Sequence, residues 1–187
     1  MPFELQPTLT GELVELRPLR PDDFDALFAV ASDPLIWEQH PEPERCQEPV
    51  FREFFRVALA SGGAFAAVDR ADGRVIGSSR FHRYKPDNSE VEIGWTFLAR
   101  SHWGGRYNGE MKRLMLEHAF RFVDNVVFRI GPQNYRSRRA VEKIGGVLIG
   151  TRGGGSGRES VVYRITAAMF RRGETRHDSG SSGNTGQ

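Results

Sequence analysis

One stretch constrains this chain more than any other. A strand-like run, Glu90-Val91-Glu92-Ile93-Gly94-Trp95-Thr96-Phe97, leads into a glycine-bearing turn and then into a helix-patterned segment. The strand signal is alternation, with Val91, Ile93, Trp95 and Phe97 on one face and Glu92, Gly94 and Thr96 on the other. The turn is Ser101-His102-Trp103-Gly104-Gly105-Arg106-Tyr107-Asn108-Gly109-Glu110. The helix is expected from about Glu110, with Leu114, Met115, Ala119 and Phe122 at helical spacing. A glycine-rich turn at a helix N-terminus points several backbone N–H groups one way, which makes an anion site. Glycine lets the backbone approach the anion, and Arg106 adds a charge-assisted contact. The same residues also suit a plain strand-to-helix connection that uses glycine for tightness.

The flanking segments predict a mixed α/β domain around one sheet. Strands are expected at 13–19, 64–69, 75–81, 126–130, 147–149 and 160–165, besides the one at 90–97. Arg20-Pro21-Asp22-Asp23 opens a helix carrying Phe24, Leu27, Phe28 and Ala31. A second helix spans 50–60, and another spans 134–144 with Asn134 as its N-cap. Ala71-Asp72-Gly73 has the signature of a hairpin turn. The Gly-rich stretch 151–157 is expected to move. The division is one domain at 1–173 and a flexible tail at 174–187, where no apolar residue anchors the chain.

Composition excludes several functions. The 187 residues include 26 basic and 24 acidic ones, a formal charge of +2, so nucleic acid is not the expected partner. The one cysteine, Cys46, cannot form an intrachain disulfide and has no nearby histidine in sequence to serve as its base. There is no signal-peptide pattern and no long apolar run, so a membrane is not expected and the default location is cytoplasmic. The five histidines are scattered without paired ligand spacing, and no metal is expected.

The anion on the turn can be narrowed. No Gly-Lys-Ser/Thr follows, as a P-loop requires, and no dinucleotide fingerprint is present. Two motifs remain: Trp103-Gly104-Gly105-Arg106-Tyr107-Asn108-Gly109-Glu110-Met111 leading to Leu116-Glu117-His118-Ala119-Phe120, and Asn134-Tyr135-Arg136-Ser137-Arg138-Arg139-Ala140 leading to Glu142-Lys143-Ile144-Gly145. In this order, with an expected strand between them, they resemble the acetyl-CoA-binding region of the GNAT N-acetyltransferases. The similarity is to the branch of the ribosomal-protein N-terminal acetyltransferases, and it covers Leu13 to Phe170. It implies a single-domain GNAT-like fold, with a mixed, mostly antiparallel central sheet of six to seven strands flanked by about four helices. Departures fall at Arg106, where the family has a glycine, at Asn108 and Gly109, which replace small residues, at Gly146, where it has phenylalanine, and at Val141, where many members carry a tyrosine general acid.

The resemblance implies an N-acetyltransferase that moves the acetyl group of acetyl-CoA to a primary amine by direct attack. Backbone groups of Phe97, Leu98 and Ala99 are expected on the pantetheine and thioester, and those of Gly104, Gly105, Arg106, Tyr107, Asn108 and Gly109 on the pyrophosphate. Asn134 would bond the pantetheine arm or simply cap its helix. Ser137, one turn later on the same face, is the candidate general acid or a surface serine. Arg138 and Arg139 are candidates for the 3′-phosphate. Glu92 is the candidate base or a member of a structural ion pair. Glu110 is expected to serve the first turn of its own helix, and His118 to be a packed or surface histidine. His82, Tyr84 and Trp37 are candidates for the acceptor pocket. The acceptor is left open among a protein N-terminus, a free amino acid or polyamine, and an aminoglycoside-type antibiotic; an acidic acceptor cleft would favour a polycation, and Glu38, Glu42, Glu44 and Glu48 offer carboxylates in that region. The alternative is a non-catalytic acyl-CoA-binding or sensory domain on the same fold. A homodimer is compatible with the resemblance.

Overall fold

Alternation along Ala64–Asp69 sends Phe65 and Ala67 to one face of a sheet and Ala64 and Ala66 to the other, so both faces must be covered. The computed structural model describes residues 3–153 and 159–178. Its strands are β1 (Leu9–Thr10), β2 (Val14–Pro18), β3 (Ala64–Asp69), β4 (Val75–Lys85), β5 (Glu90–Leu98), β6 (Asn125–Ile130), β7 (Val147–Gly153) and β8 (Glu159–Thr166). They form one sheet in the order β1-β2-β3-β4-β5-β6-β8-β7. Every pairing is antiparallel except β5 with β6.

The helices are α1 (Phe24–Ala31), α2 (Glu48–Ala60), α3 (Arg106–Ala119), α4 (Tyr135–Lys143) and α5 (Ala167–Asp178). On one face, α1 and α2 bring Leu27, Ala31, Phe51, Phe55 and Ala58 onto Ala64, Ala66 and Phe97. On the other, α3 lays Met111, Met115 and Ala119 against Leu16, Phe65, Phe81, Val91 and Ile93. Full burial of each large apolar side chain contributes about 1.5–3 kcal/mol.

The expected fold class holds, with eight strands and five helices among the described residues. The additions are the two-residue β1 and the helix α5. α5 continues through Asp178 into the stretch expected as tail, and 179–187 lie outside the described residues, as do 154–158 of the expected mobile stretch. No helix among the described residues is long and apolar enough to cross a membrane.

One element departs from its alternation. In β4 and β5, Ser78 pairs with Phe97 but Arg80 pairs with Gly94, so Trp95 and Thr96 together face Ser79. This bulge puts Trp95 at a φ of +51°, in the left-handed region where a large side chain is uncommon. It also reverses the faces beyond it. Val91 and Ile93 stay on the α3 side, whereas Phe97 joins the α1/α2 core and Leu98 takes the α3 side. The single face expected for Val91, Ile93, Trp95 and Phe97 is therefore corrected: the bulge splits it.

Candidate functional site

The bulge lies where the sheet opens. β5 and β6 pair only over Glu90–Glu92 against Asn125–Val127, and beyond that point they part. The edges exposed there are backbone donors and acceptors with no strand between them. Ala99 N–H donates to the Ile76 carbonyl at 2.8 Å, so it turns toward β4. Successive residues of a strand point their N–H groups to opposite edges, so Leu98 points into the opening and Phe97, like Ala99, away from it. The expectation that three backbone groups serve the cofactor is thus reduced to Leu98. Phe97 still lines the cleft, while Ala99 is absent from its walls.

The glycine turn closes the wide end of this opening. α3 begins at Arg106, with Gly105 as N-cap, four residues before the expected start. The first intrahelical bond runs from Gly109 N–H to the Gly105 carbonyl at 2.9 Å. The N–H of Gly109 is therefore spent, which corrects its assignment as an anion donor. Among the described residues, the N–H groups of Gly104, Gly105, Arg106, Tyr107 and Asn108 meet no protein acceptor, as the first turn of a helix dictates. Gly104 and Gly105 hold φ values of +102° and +125°, which a side chain would strain. Arg106 is exposed at the first helical position, and neither Arg106 nor Tyr107 lines the cleft.

Three tethers hold the turn. Asp69 at the end of β3 accepts from Tyr107 Oη at 3.1 Å and from Ala71 N–H at 2.8 Å, and its Oδ2 lies 3.0 Å from His102 Nε2. These bonds hold the Asp69 carboxyl below the usual range, the Ala71 N–H contributing most and His102 next. Trp103 Nε1 donates to the Leu98 carbonyl at 2.9 Å. Across the cleft, the Arg136 guanidinium stacks 4.1 Å from the Trp103 ring and donates to the Ile36 carbonyl, joining α4 to the loop after α1.

α4 supplies the facing wall. Asn134 is buried and caps the helix, its Oδ1 accepting from Ser137 N–H at 3.2 Å. Asn134, Ser137 and Arg139 all line a cleft of about 940 Å³, together with Glu92, Leu98, Gly104, Gly105 and Asn108. The Ser137 hydroxyl has no partner among the described residues. Arg138 does not share this role. It donates to Tyr163 Oη at 3.0 Å and to the Pro132 carbonyl at 2.8 Å, which corrects the expectation that it meets a phosphate. Val141 is a core residue, 5 % exposed, and a Cβ at Gly146 would run into its side chain. The two departures from the family pattern are thus one packing solution.

The inner end of the cleft is charged. Glu92 is 3 % exposed; its Oε2 accepts from Arg83 Nη1 at 3.0 Å and lies 3.1 Å from Arg129 Nε, while Oε1 has no partner among the described residues. Burial pushes the Glu92 carboxyl above the usual range, against the pull of the two arginines. Glu92 is thus a member of an ion pair, as one of its two readings expected, and it lines the cleft with Oε1 unpaired among the described residues.

Lys112 was not expected here. It lines the cleft from α3, and its Nζ bonds Thr96 Oγ1 at the bulge and Ser79 Oγ at 3.3 Å. Burial without a carboxylate lowers it to about 7. In sequence it is one lysine between Met111 and Leu114, and a lysine usually marks a helix's wet face.

The acidic loop is not a free acidic patch. Glu38 pairs with Arg136, Glu42 with Arg45 and Glu48 with Arg52. Trp37 lines the cleft as expected, but His82 and Tyr84 do not. His82 packs edge-on against Trp95 at 4.8 Å, and Tyr84 packs on Phe3 at 5.1 Å. Glu110 leaves its own helix and accepts the N–H groups of Glu12, Leu13 and Val14, each at 2.8 Å. His118 is a buried packing residue bonded to the Glu4 carbonyl at 2.7 Å.

The comparisons with known proteins agree with this geometry. The profile of an acetyltransferase (GNAT) domain matches residues 14–147. A GCN5-related N-acetyltransferase from Brucella melitensis superposes with a TM-score of 0.82 at 21% identity, over 95% of this chain and 86% of that one. An acetyltransferase from Agrobacterium tumefaciens does so with a TM-score of 0.68 at 27% identity, over 85% and 94%. RimJ of Mycobacterium smegmatis, solved in complex with CoA-disulfide, gives 0.66 at 20% identity, over 91% and 95%. No curated protein matches the chain by sequence.

Proposed function

The chain belongs to the GNAT acetyltransferase family, and on that premise we propose that it moves the acetyl group of acetyl-CoA to a primary amine by direct attack. One observation carries the reading. The opened β5/β6 edge, the glycine turn with its unbonded N–H groups at Gly104, Gly105 and Asn108, and the residues Ser137 and Glu92 all line one cleft. The fit to the co-substrate is good: the turn offers donors without side chains in the way, since a Cβ at Gly104 or Gly105 would meet nothing within 4 Å.

Bound acetyl-CoA supplies an activated thioester, and its sulfur leaves with a proton as the free thiol. The N–H groups of Gly104–Asn108 hold the pyrophosphate, and Arg139 takes the 3′-phosphate. Leu98 N–H polarises the thioester carbonyl. Asn134, its Oδ1 engaged in the cap, offers its amide nitrogen to the pantetheine arm. Ser137 gives its proton to the departing sulfur, the role that a tyrosine at position 141 would otherwise fill. Glu92 Oε1 receives the proton of the attacking amine, directly or through water.

Titration calorimetry with acetyl-CoA, followed by a thiol-release assay over an amine panel, tests the reading. The expected result is binding, and thiol release with at least one amine. Ser137→Ala and Glu92→Gln should each lower kcat by about 10²–10⁴-fold. Because burial raises the Glu92 carboxyl, the rising limb of kcat/KM should sit above the ordinary carboxylate range and vanish in E92Q. Binding without release on any amine would favour the non-catalytic reading, and absence of binding would overturn both.

A further inference from the structure

Three arginines, Arg45, Arg83 and Arg129, line the inner end of the cleft and each has a carboxylate, while a fourth, Arg80, is not a wall residue but packs on the ring of Trp95, which is. Arg45 pairs with Glu42, while Arg83 and Arg129 share Glu92. Arg80 differs. It is 2 % exposed, has no carboxylate or hydrogen-bond acceptor among the described residues, and its Nε is a buried donor without a partner. Its contacts are aromatic faces: Trp95 at 4.7 Å and Phe54 at 5.7 Å. A buried guanidinium with no anion is costly, and a fold that keeps one calls for an explanation.

Its position supplies one. Trp95 is a wall of the cleft, and Arg45, another wall residue, stacks on the same Phe54 ring at 4.7 Å. Arg80 pairs with Gly94 and His82 with Glu92, so Arg80 and Glu92 are diagonal neighbours on adjacent strands. Both lie on the sheet face opposite Phe81 and Ile93. Diagonal neighbours are about 7–8 Å apart. One end of that span is the carboxyl proposed to take the amine's proton; the other is a planar fork of donors suited to a carboxylate.

We infer that Arg80 is the binding site for a carboxylate on the acceptor, so that the acceptor is a small amino acid whose amine and carboxylate lie a few bonds apart. The inference rests on the acetyl-transfer reading for the identity of its ligand. It is the opposite of a polycation, which the uncompensated guanidinium of Arg80 would repel.

The test uses the full chain, acetyl-CoA and matched acceptors: α-amino acids, β-alanine and 4-aminobutyrate, each beside its own carboxamide. For at least one pair, wild-type kcat/KM should favour the carboxylate at least tenfold. Arg80→Met should bring that pair to parity, and Arg80→Gln serves if the methionine variant does not fold. Equal turnover of both members of every pair by the wild type would overturn the inference, as would acetylation confined to peptide N-termini. If acetyl-CoA binds and no amine reacts, the acetyl-transfer reading fails, and melting curves with glutarate at constant ionic strength decide the anion site. A rise in Tm in the wild type that is lost in the Arg80 variant upholds it. No rise in the wild type overturns it.

Discussion

Lys112 illustrates how one residue can carry stability against its own chemistry. Its amine is buried between Thr96, Ser79 and the Phe128 ring, 5.6 Å away, with no carboxylate near. Burial holds it to about 7, below its usual 10.5, so between these values the unfolded chain binds the proton and the folded chain does not. Stability therefore rises with pH across that window. Lys112→Met should raise stability by about 1–3 kcal/mol at neutral pH, less than the full shift because two hydrogen bonds go. It should also flatten the alkaline slope, which melting curves at pH 7 and pH 9.5 would show. Gly105 sets the opposite case. At φ +125° with open space around it, Gly105→Ala meets no clash but strains the backbone by about 1–2 kcal/mol. A calorimetric titration should show weaker acetyl-CoA binding in this variant.

At the scale of elements, Glu110 ties α3 to the turn between β1 and β2. Burial pushes its carboxyl up, yet the N–H groups of Val14, Leu13 and Glu12, with Arg113, hold it below the usual range. That stabilisation is present above the unfolded carboxylate value and is lost as pH falls through the lower folded one. Glu110→Gln should cost about 2–4 kcal/mol, as expected for several hydrogen bonds to a charge, with the loss read from chemical denaturation at pH 7. The same elements show what sequence discloses. The strand at 90–97, the glycine turn and the Asn134 cap were legible because alternation, glycine and capping are local signals. The start of α3 at Arg106 was not, since Arg-Tyr-Asn-Gly is a weak helix opening that tertiary tethers from Asp69 and Glu110 override. That displacement is what takes Gly109 off the anion site. The bulge at Trp95 was likewise hidden, because alternation assumes an unbroken pleat and an extra residue leaves no compositional mark.

For the whole molecule, the mixed sheet creates the site by ending one parallel pairing early. β5 and β6 part after Glu92 and Val127, the turn closes the wide end, and α4 forms the far wall. Topology of this kind, together with the family motifs, could be anticipated from the order of elements. The charge balance inside the cleft could not, because it depends on which arginines find carboxylates across the fold. The central claim is that the N–H groups of Gly104–Asn108 and of Leu98 hold acetyl-CoA. An amide nitrogen–proton NMR titration of the full chain with acetyl-CoA tests this most directly. The amide protons of Gly104, Gly105, Arg106, Tyr107, Asn108 and Leu98 should move downfield as they acquire acceptors. Those of Gly109 and Ala99, already bonded to the Gly105 and Ile76 carbonyls, should change least. Saturable binding that leaves the amides of Gly104–Asn108 and Leu98 unmoved would contradict the account.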